Sequence, residues 1–199
     1  MKGTKVEIIA EAGVNHNGKI EIAKKLVYEA KKAGSTFIKF QFYKTKNLIL
    51  KNTKLANYQK QNLNTKSNDQ YKMLKKLELK NHEIISLIKY AKKIKIKILL
   101  SVFDLESLEF IKKQNLKILK IPSGEINNVP YLEKIGKMNS KIILSTGMSN
   151  INDIKFALNK LVKSGTPKRK ITVLHCNTEY PTPLNDINML SMLSIQKKL

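Results

Sequence analysis

Residues Leu116–Glu125 read LKILKIPSGE. An apolar run of strand length stops at a proline, and a serine, a glycine and a glutamate follow directly. Alternation along the run puts Leu119 and Ile121 on one face and Lys120 on the other. The same pattern, a short apolar run closed by small polar or charged residues, occurs five more times: Val6–Gly18 (VEIIAEAGVNHNG), Phe37–Tyr43 (FIKFQFY), Ile96–Asp104 (IKILLSVFD), Lys141–Ser149 (KIILSTGMS) and Ile171–Pro183 (ITVLHCNTEYPTP). Strands that all place chemistry at their C-terminal ends predict an α/β fold of the (β/α)8 barrel type, with its site on that rim.

The segments between the runs read as helices. Ile22, Ala23, Leu26, Val27 and Ala30 repeat at helical spacing over Ile20–Ala33, and Gly34 supplies a stop. Asn81 is the expected N-cap of a helix reaching Lys93, Asp104 caps the next, and Pro130 opens another where proline is tolerated. Asn150 or Asn152 caps a helix ending near Gly165, and Ile187–Ile195 starts a last one. The strands are expected at Val6–Ala10, Phe37–Gln41, Ile96–Ser101, Leu116–Ile121, Ile142–Ser145 and Ile171–His175. Strand and helix alternate six times, which predicts a parallel sheet with right-handed crossovers. A doubly wound open sheet is the alternative, but it usually carries a glycine-rich phosphate loop, and no G-x-G-x-x-G is present. The polar, Asn- and Gln-rich stretch 44–80 departs from the alternation. It reads either as a functional loop on the site side or as a disordered surface loop.

The 199 residues suffice for one domain but fall short of the roughly 250 of a typical complete barrel. Glu7 and Glu11 interrupt the first apolar stretch, so no signal peptide is read there, and no run approaches the roughly 20 residues that span a membrane. The single cysteine, Cys176, excludes an intrachain disulfide and fits a reducing cytoplasm. The net charge of +23 invites a nucleic-acid reading, yet Arg169 is the one arginine among 38 basic residues, and the lysines are dispersed along helix faces. A solvated surface is the better reading, and a non-catalytic basic binding protein is the alternative from another class.

Lys39 shares a face with Phe37 and Gln41 in a run too apolar for a surface edge. A buried ammonium is costly unless it meets an anion or shifts its pKa. Lys120 repeats the situation. Either lysine alone could snorkel to the rim; two of them favour a shared anion. The turns Pro122–Glu125 and Ser145–Gly147 offer hydroxyls and glycines that let backbone amides approach an oxyanion. Glu11 and Glu125, at strand ends, are candidates for general acid/base work, with a helix-N-terminal charge partner as the plainer reading of Glu11. His16, His82 and His175 are too scattered to declare a metal site, and His82 reads as a surface residue. His175 reads as a ligand, a base or a packed, hydrogen-bonded side chain, and Cys176 as a small core residue.

Five motifs, AEAGVNHNG (Ala10–Gly18), IKFQ (Ile38–Gln41), KIPSGEI (Lys120–Ile126), ILSTGMS (Ile143–Ser149) and LHCNTEYPTP (Leu174–Pro183), stand in the order found in bacterial N-acetylneuraminate (sialic acid) synthases. The chain resembles that family over essentially its whole length, with the legionaminic and pseudaminic acid synthases as near relatives and other phosphoenolpyruvate-dependent aldolases as a wider alternative. The resemblance implies condensation of phosphoenolpyruvate with N-acetylmannosamine or a related N-acyl hexosamine. It also implies a divalent ion, Mn²⁺ or Mg²⁺, and a domain-swapped homodimer. By motif it carries the phosphoenolpyruvate contacts onto Lys39, Ser101, Lys120, Ser123 and Ser145, with Thr178 beside them. It puts Gln41, Glu125 and Tyr180 near the sugar or the reacting carbons, and Glu11 beside the metal. The family's usual Ser-Thr-Pro-Phe-Asp is here Leu100-Ser101-Val102-Phe103-Asp104, which keeps a hydroxyl and loses the proline. The family's metal-binding histidines lie in a Ser-Asp-His motif after strand six and at a later strand end. Neither has a counterpart here; by the resemblance both fall beyond Leu199, so no metal ligand is expected in this chain. The expectation is therefore a partial barrel domain over residues 1–199, without the last two βα units and the C-terminal antifreeze-like domain, and weak or no turnover alone.

Overall fold

The computed structural model describes residues 6–56, 59–60 and 69–199. Six parallel strands form one sheet in sequence order: β1 (Ile9–Gly13), β2 (Phe37–Phe42), β3 (Lys97–Val102), β4 (Ile118–Ile121), β5 (Lys141–Ser145) and β6 (Ile171–Leu174). The crossovers run through α1 (Ile20–Lys32), α4 (Asn81–Lys93), α5 (Leu105–Lys112), α6 (Val129–Gly136) and α7 (Ile151–Lys163). Between β2 and α4 stand the short α2 (Thr45–Leu48) and α3 (Gln70–Leu77), and α8 (Ser191–Lys198) follows β6.

Period-2 alternation sorts the strands into two faces. Ile38, Phe40, Phe42, Leu100, Val102, Leu119, Ile121, Ile142 and Leu144 pack against the helices, where Val27, Leu87, Ile111, Leu132 and Leu161 meet them in one continuous core. Each fully buried aliphatic or aromatic side chain there contributes roughly 1.5–3 kcal/mol. The other face carries Lys39, Gln41, Ser101, Lys120 and Ser145. The register sets Glu11 beside Lys39, Gln41 beside Ser101, and Ser101 beside Lys120. The sheet curls toward this face. Three inter-strand steps of about 4.8 Å separate β1 from β4, yet Lys120 Nζ on β4 reaches Glu11 Oε1 on β1 at 3.2 Å.

Several boundaries differ from the sequence expectation. β1 begins at Ile9 rather than Val6, because pairing starts where Ile9 meets Phe37; Val6 and Ile8 lie outside the ladder, 79% and 58% exposed. A register shift between Glu11 and Gly13 marks its end, so Glu11 lies within the strand. Lys80, not Asn81, caps α4: Glu83 Oε2 accepts the Lys80 amide at 2.7 Å. β4 is shortened to four residues, and the last helix starts at Ser191 because a 3-10 turn over Leu184–Asp186 comes first. Asp104 and Asn150 cap as expected, each accepting amides of the first turn that follows. Within 44–80 about half of the described part is helical rather than a plain loop, and residues 57–58 and 61–68 of that stretch lie outside the described residues. Among the described residues no helix is long and apolar enough to cross a membrane.

Candidate active site

Lys39 and Lys120 are 4% and 9% exposed, and both ammonium groups point to one carboxylate, that of Glu11. Lys39 forms a short ion pair with Oε2, and Lys120 donates to Oε1. The anion that two buried lysines require is thus supplied from inside the protein. Burial raises the pKa of Glu11, but hydrogen bonds and charge from Lys39 and then Lys120 outweigh it and hold the group below its ordinary value. Burial lowers the pKa of Lys39, and the Lys120 charge lowers it further, with Glu11 opposing both.

The two lysines form the floor of a hollow of about 170 Å³ whose walls include Ser101, Ser123, Ser145 and Thr178. Three turns converge to make it. Thr146 Oγ1 donates to the Leu174 carbonyl at 2.6 Å and ties the turn after β5 to β6. Gly147 allows the closest approach: a Cβ there would stand 2.5 Å from Thr178 Cγ2 and 3.2 Å from Ser123 Oγ. Asp104 fixes the β2 loop to the end of β3 by accepting the Lys44 amide at 2.8 Å and the Ser107 hydroxyl at 2.6 Å. Cations and hydroxyls lining a small hollow are groups suited to holding an oxyanion.

A second cleft, about 440 Å³, opens beside the hollow and shares Lys39, Gln41 and Tyr180 with it. Glu11, Asn15 and Gln59 line it with polar groups, and Met73, Leu74 and Leu77 of α3 line it with apolar ones. α3 is pinned in several places. Tyr43 donates to the Leu74 carbonyl at 3.0 Å, Glu78 accepts the Thr45 amide and hydroxyl at 3.0 and 2.8 Å, and Asp69 caps the helix by accepting the Lys72 amide. Its close seat on the first βα loop needs Gly18, at φ +72°, where a Cβ would lie 2.2 Å from the Lys76 carbonyl oxygen.

Nine of the ten site residues expected from sequence line one or both hollows. Glu125 lines neither. Its carboxylate accepts from Asn128 Nδ2 at 2.6 Å, and burial, with the Asp104 charge adding and the Asn128 bond opposing, raises its pKa. Cys176 is half-buried and lines the anion hollow with Asn177, rather than sitting in the core. His175 is bonded through Nε2 to the Ile187 carbonyl at 2.7 Å, the packed alternative. His82 is exposed, and His16 is fully buried, its Nδ1 accepting the Gly18 amide at 3.0 Å. The α3 wall and Asn177 were missed. Asn177 stands inside a quoted run, whereas the wall's only signal is the 73, 74, 77 spacing of apolar residues in an otherwise polar stretch.

Among the described residues no three His, Cys, Asp or Glu side chains come together, and both oxygens of Glu11 are engaged by lysines. These residues by themselves do not fit a divalent ion, and no step below is routed through one. Leu199, the residue beyond which the resemblance places the family's histidines, lines neither site hollow. It is partly buried against the core and borders a separate apolar pocket with Val173 of β6 and Ile195 of α8. Its carbonyl accepts the Lys168 ammonium, so its ties are to packing and a surface contact rather than to the site.

Residues 26–199 match the model of the NeuB family. The chain is 52% identical over 194 residues to the N,N'-diacetyllegionaminic acid synthase of Campylobacter jejuni, covering 96% of this chain and 57% of that protein. It is 40% identical over 190 residues to the enzyme of the same name from Legionella pneumophila, covering 94% and 53%. The solved N-acetylneuraminic acid synthetase of Leptospira borgpetersenii superposes with a TM-score of 0.81 at 27% identity, covering 98% of this chain and 62% of that one. The chain therefore spans little more than half the length of the curated relatives it matches.

Proposed function

Because the chain belongs to the NeuB family, we propose that it binds phosphoenolpyruvate in the hollow over Lys39 and Lys120 and takes part in condensing it with an N-acyl hexosamine held in the adjoining cleft. The observation that carries this reading is the pair of joined hollows: one small, cationic and hydroxyl-lined, the other larger, with Lys39, Gln41 and Tyr180 common to both. Phosphoenolpyruvate carries a phosphate and a carboxylate, which suit two ammonium groups and the hydroxyls of Ser101, Ser123, Ser145 and Thr178. Holding both substrates across a shared wall turns a bimolecular step into an intramolecular one. The enol carbon attacks the open-chain aldehyde, water adds at the former enol C2, and phosphate leaves from the tetrahedral intermediate.

Two carboxylates divide the proton work. Glu11 lines the cleft and is the candidate base; its lysine partners hold it below its ordinary value, so it gains basicity once a bound anion engages those lysines. Glu125, raised by burial, is the candidate acid and must exchange Asn128 for substrate to act. Gln41 and Tyr180 hold the sugar. The reading includes a partial (β/α)8 barrel domain, a divalent ion for which the described residues supply no ligand cluster, and a homodimer as the assembled form. Among acceptors, a bis-N-acetylated sugar is favoured by the 52% identity to a synthase named for N,N'-diacetyllegionaminic acid.

Calorimetric titration of this chain with phosphoenolpyruvate tests the reading. Binding is expected, with a loss of at least about tenfold in Lys120→Ala, since a hydrogen bond to a charged group is worth roughly 1.5–3 kcal/mol. Affinity unchanged by that substitution would overturn the assignment of the hollow.

A further inference from the structure

The opposite end of the sheet carries a second basic hollow. About 340 Å³ in volume, it lies where β4, β5 and β6 begin, and Lys117, Lys141 and Lys170 line it together with Asn115, Asn139 and Ser140. The three lysines come from adjacent strands: the Lys141 amide donates to the Lys117 carbonyl at 2.9 Å, and Ile142 pairs with Ile171, the residue after Lys170. One turn geometry is used twice at this end. Asn115 and Asn139 each adopt φ +52°, a left-handed conformation that asparagine tolerates, between a helix end and the strand that follows. Each also holds an ammonium group. Lys117 Nζ donates to Asn115 Oδ1 at 3.1 Å, and Lys170 Nζ donates to the carbonyl and to Oδ1 of Asn139, both at 2.9 Å.

These acceptors are all neutral. Among the described residues Lys117, Lys141 and Lys170 form no ion pair, and no carboxylate side chain lines the hollow. Lysines elsewhere on the surface have acidic neighbours. Lys97, at the start of β3, reaches Glu7 at 3.7 Å, and Lys24 and Lys25 share a groove on α1 with Glu21 and Glu29. An ammonium carries three donors, so beyond its asparagine Lys117 has two to offer and Lys170 one. Like charges gathered at one hollow, oriented by neutral acceptors and with donors to spare, suit an anion. The hollow matches the liquid volume of roughly ten waters, more than one phosphoryl group fills, and three lysines suit a ligand with more than one anionic group. Leu116 and Met138, packed against the core, add an apolar margin. We propose that this hollow binds a diphosphoryl anion, free or as the diphosphate of an organic ester, at a site separate from the one over Lys39 and Lys120.

The test is calorimetric titration of the full chain with inorganic diphosphate at about 0.15 M salt, where exposed charges beyond about 8 Å are screened. Lys117→Ala/Lys170→Ala is expected to weaken binding at least about tenfold, because charge-assisted hydrogen bonds are lost. Lys92→Ala/Lys93→Ala removes the same charge from an exposed stretch of α4 and should change affinity less than about twofold. Acetylation of the wild type, read lysine by lysine by mass spectrometry, locates the ligand without any variant having to fold: diphosphate should slow the reaction several-fold at Lys117 and Lys170 and leave Lys92 and Lys93 unchanged. ADP titrated in parallel separates the two sources. Tighter binding than inorganic diphosphate supports an ester whose organic part uses Leu116 and Met138, and weaker binding supports the free anion. Equal losses in the two double variants overturn the site, as does protection confined to Lys39 and Lys120 or spread evenly over the surface, or no binding of diphosphate.

Discussion

Glu11 is the residue on which the site turns. It offsets the charge of two neighbouring ammonium groups that would otherwise repel each other, and it engages them from the adjoining larger cleft. Glu11→Gln is therefore expected to strengthen binding of inorganic phosphate several-fold, read by calorimetry, while lowering stability in phosphate-free buffer by about 1–2 kcal/mol, between the values for exposed and enclosed pairs. The pH dependence has a definite sign. A carboxylate whose pKa is lowered on folding stabilises the protein above its ordinary value of 4.5, and that contribution is lost as pH falls through the folded value. Acid unfolding of Glu11→Gln should lack this component, and an acid limb identical to wild type would count against the ion-pair cluster. Lys39 and Lys120 were legible in sequence because strict alternation sets each on the face away from its apolar neighbours. Their partner was not legible: Glu11 lies 109 residues from Lys120, and only the curl of the sheet brings them together.

At the scale of elements, the strands were legible because short apolar runs bounded by polar turns have few other readings. Their limits were less so. β1 is an edge, and nothing in its own residues says that pairing begins at Ile9 rather than Val6. α3 was hidden for a different reason, since its apolar stripe serves a cleft and not the core, so the stretch reads as polar loop. Gly18 couples these two parts. Gly18→Ala places a methyl against the Lys76 carbonyl and a side chain at positive φ; the expected cost is about 1–3 kcal/mol by denaturant unfolding. Hydrogen exchange should locate the disturbance in α3. An unperturbed α3 in that variant would mean the helix does not depend on the close approach.

The whole molecule joins a strongly basic surface to a curved sheet. A surplus of 23 positive charges raises the local concentration of small anions around the site at low ionic strength, so phosphate association should slow as salt rises, measurable by stopped-flow. The curvature has its own tie. β1 and β4 are three strands apart, and the Glu11–Lys120 contact spans the interval like a chord across an arc. A ligand that takes the lysines cuts that chord. Occupancy and shape are thereby linked: phosphate should quicken amide exchange in Ile9–Gly13 while slowing it in β3 and β4, whereas uniform slowing would show that the arc holds without its chord. The carboxylate that offsets one of the two positive charges also ties β1 to β4, so loading the pocket is expected to slacken the edge strand that carries the candidate base.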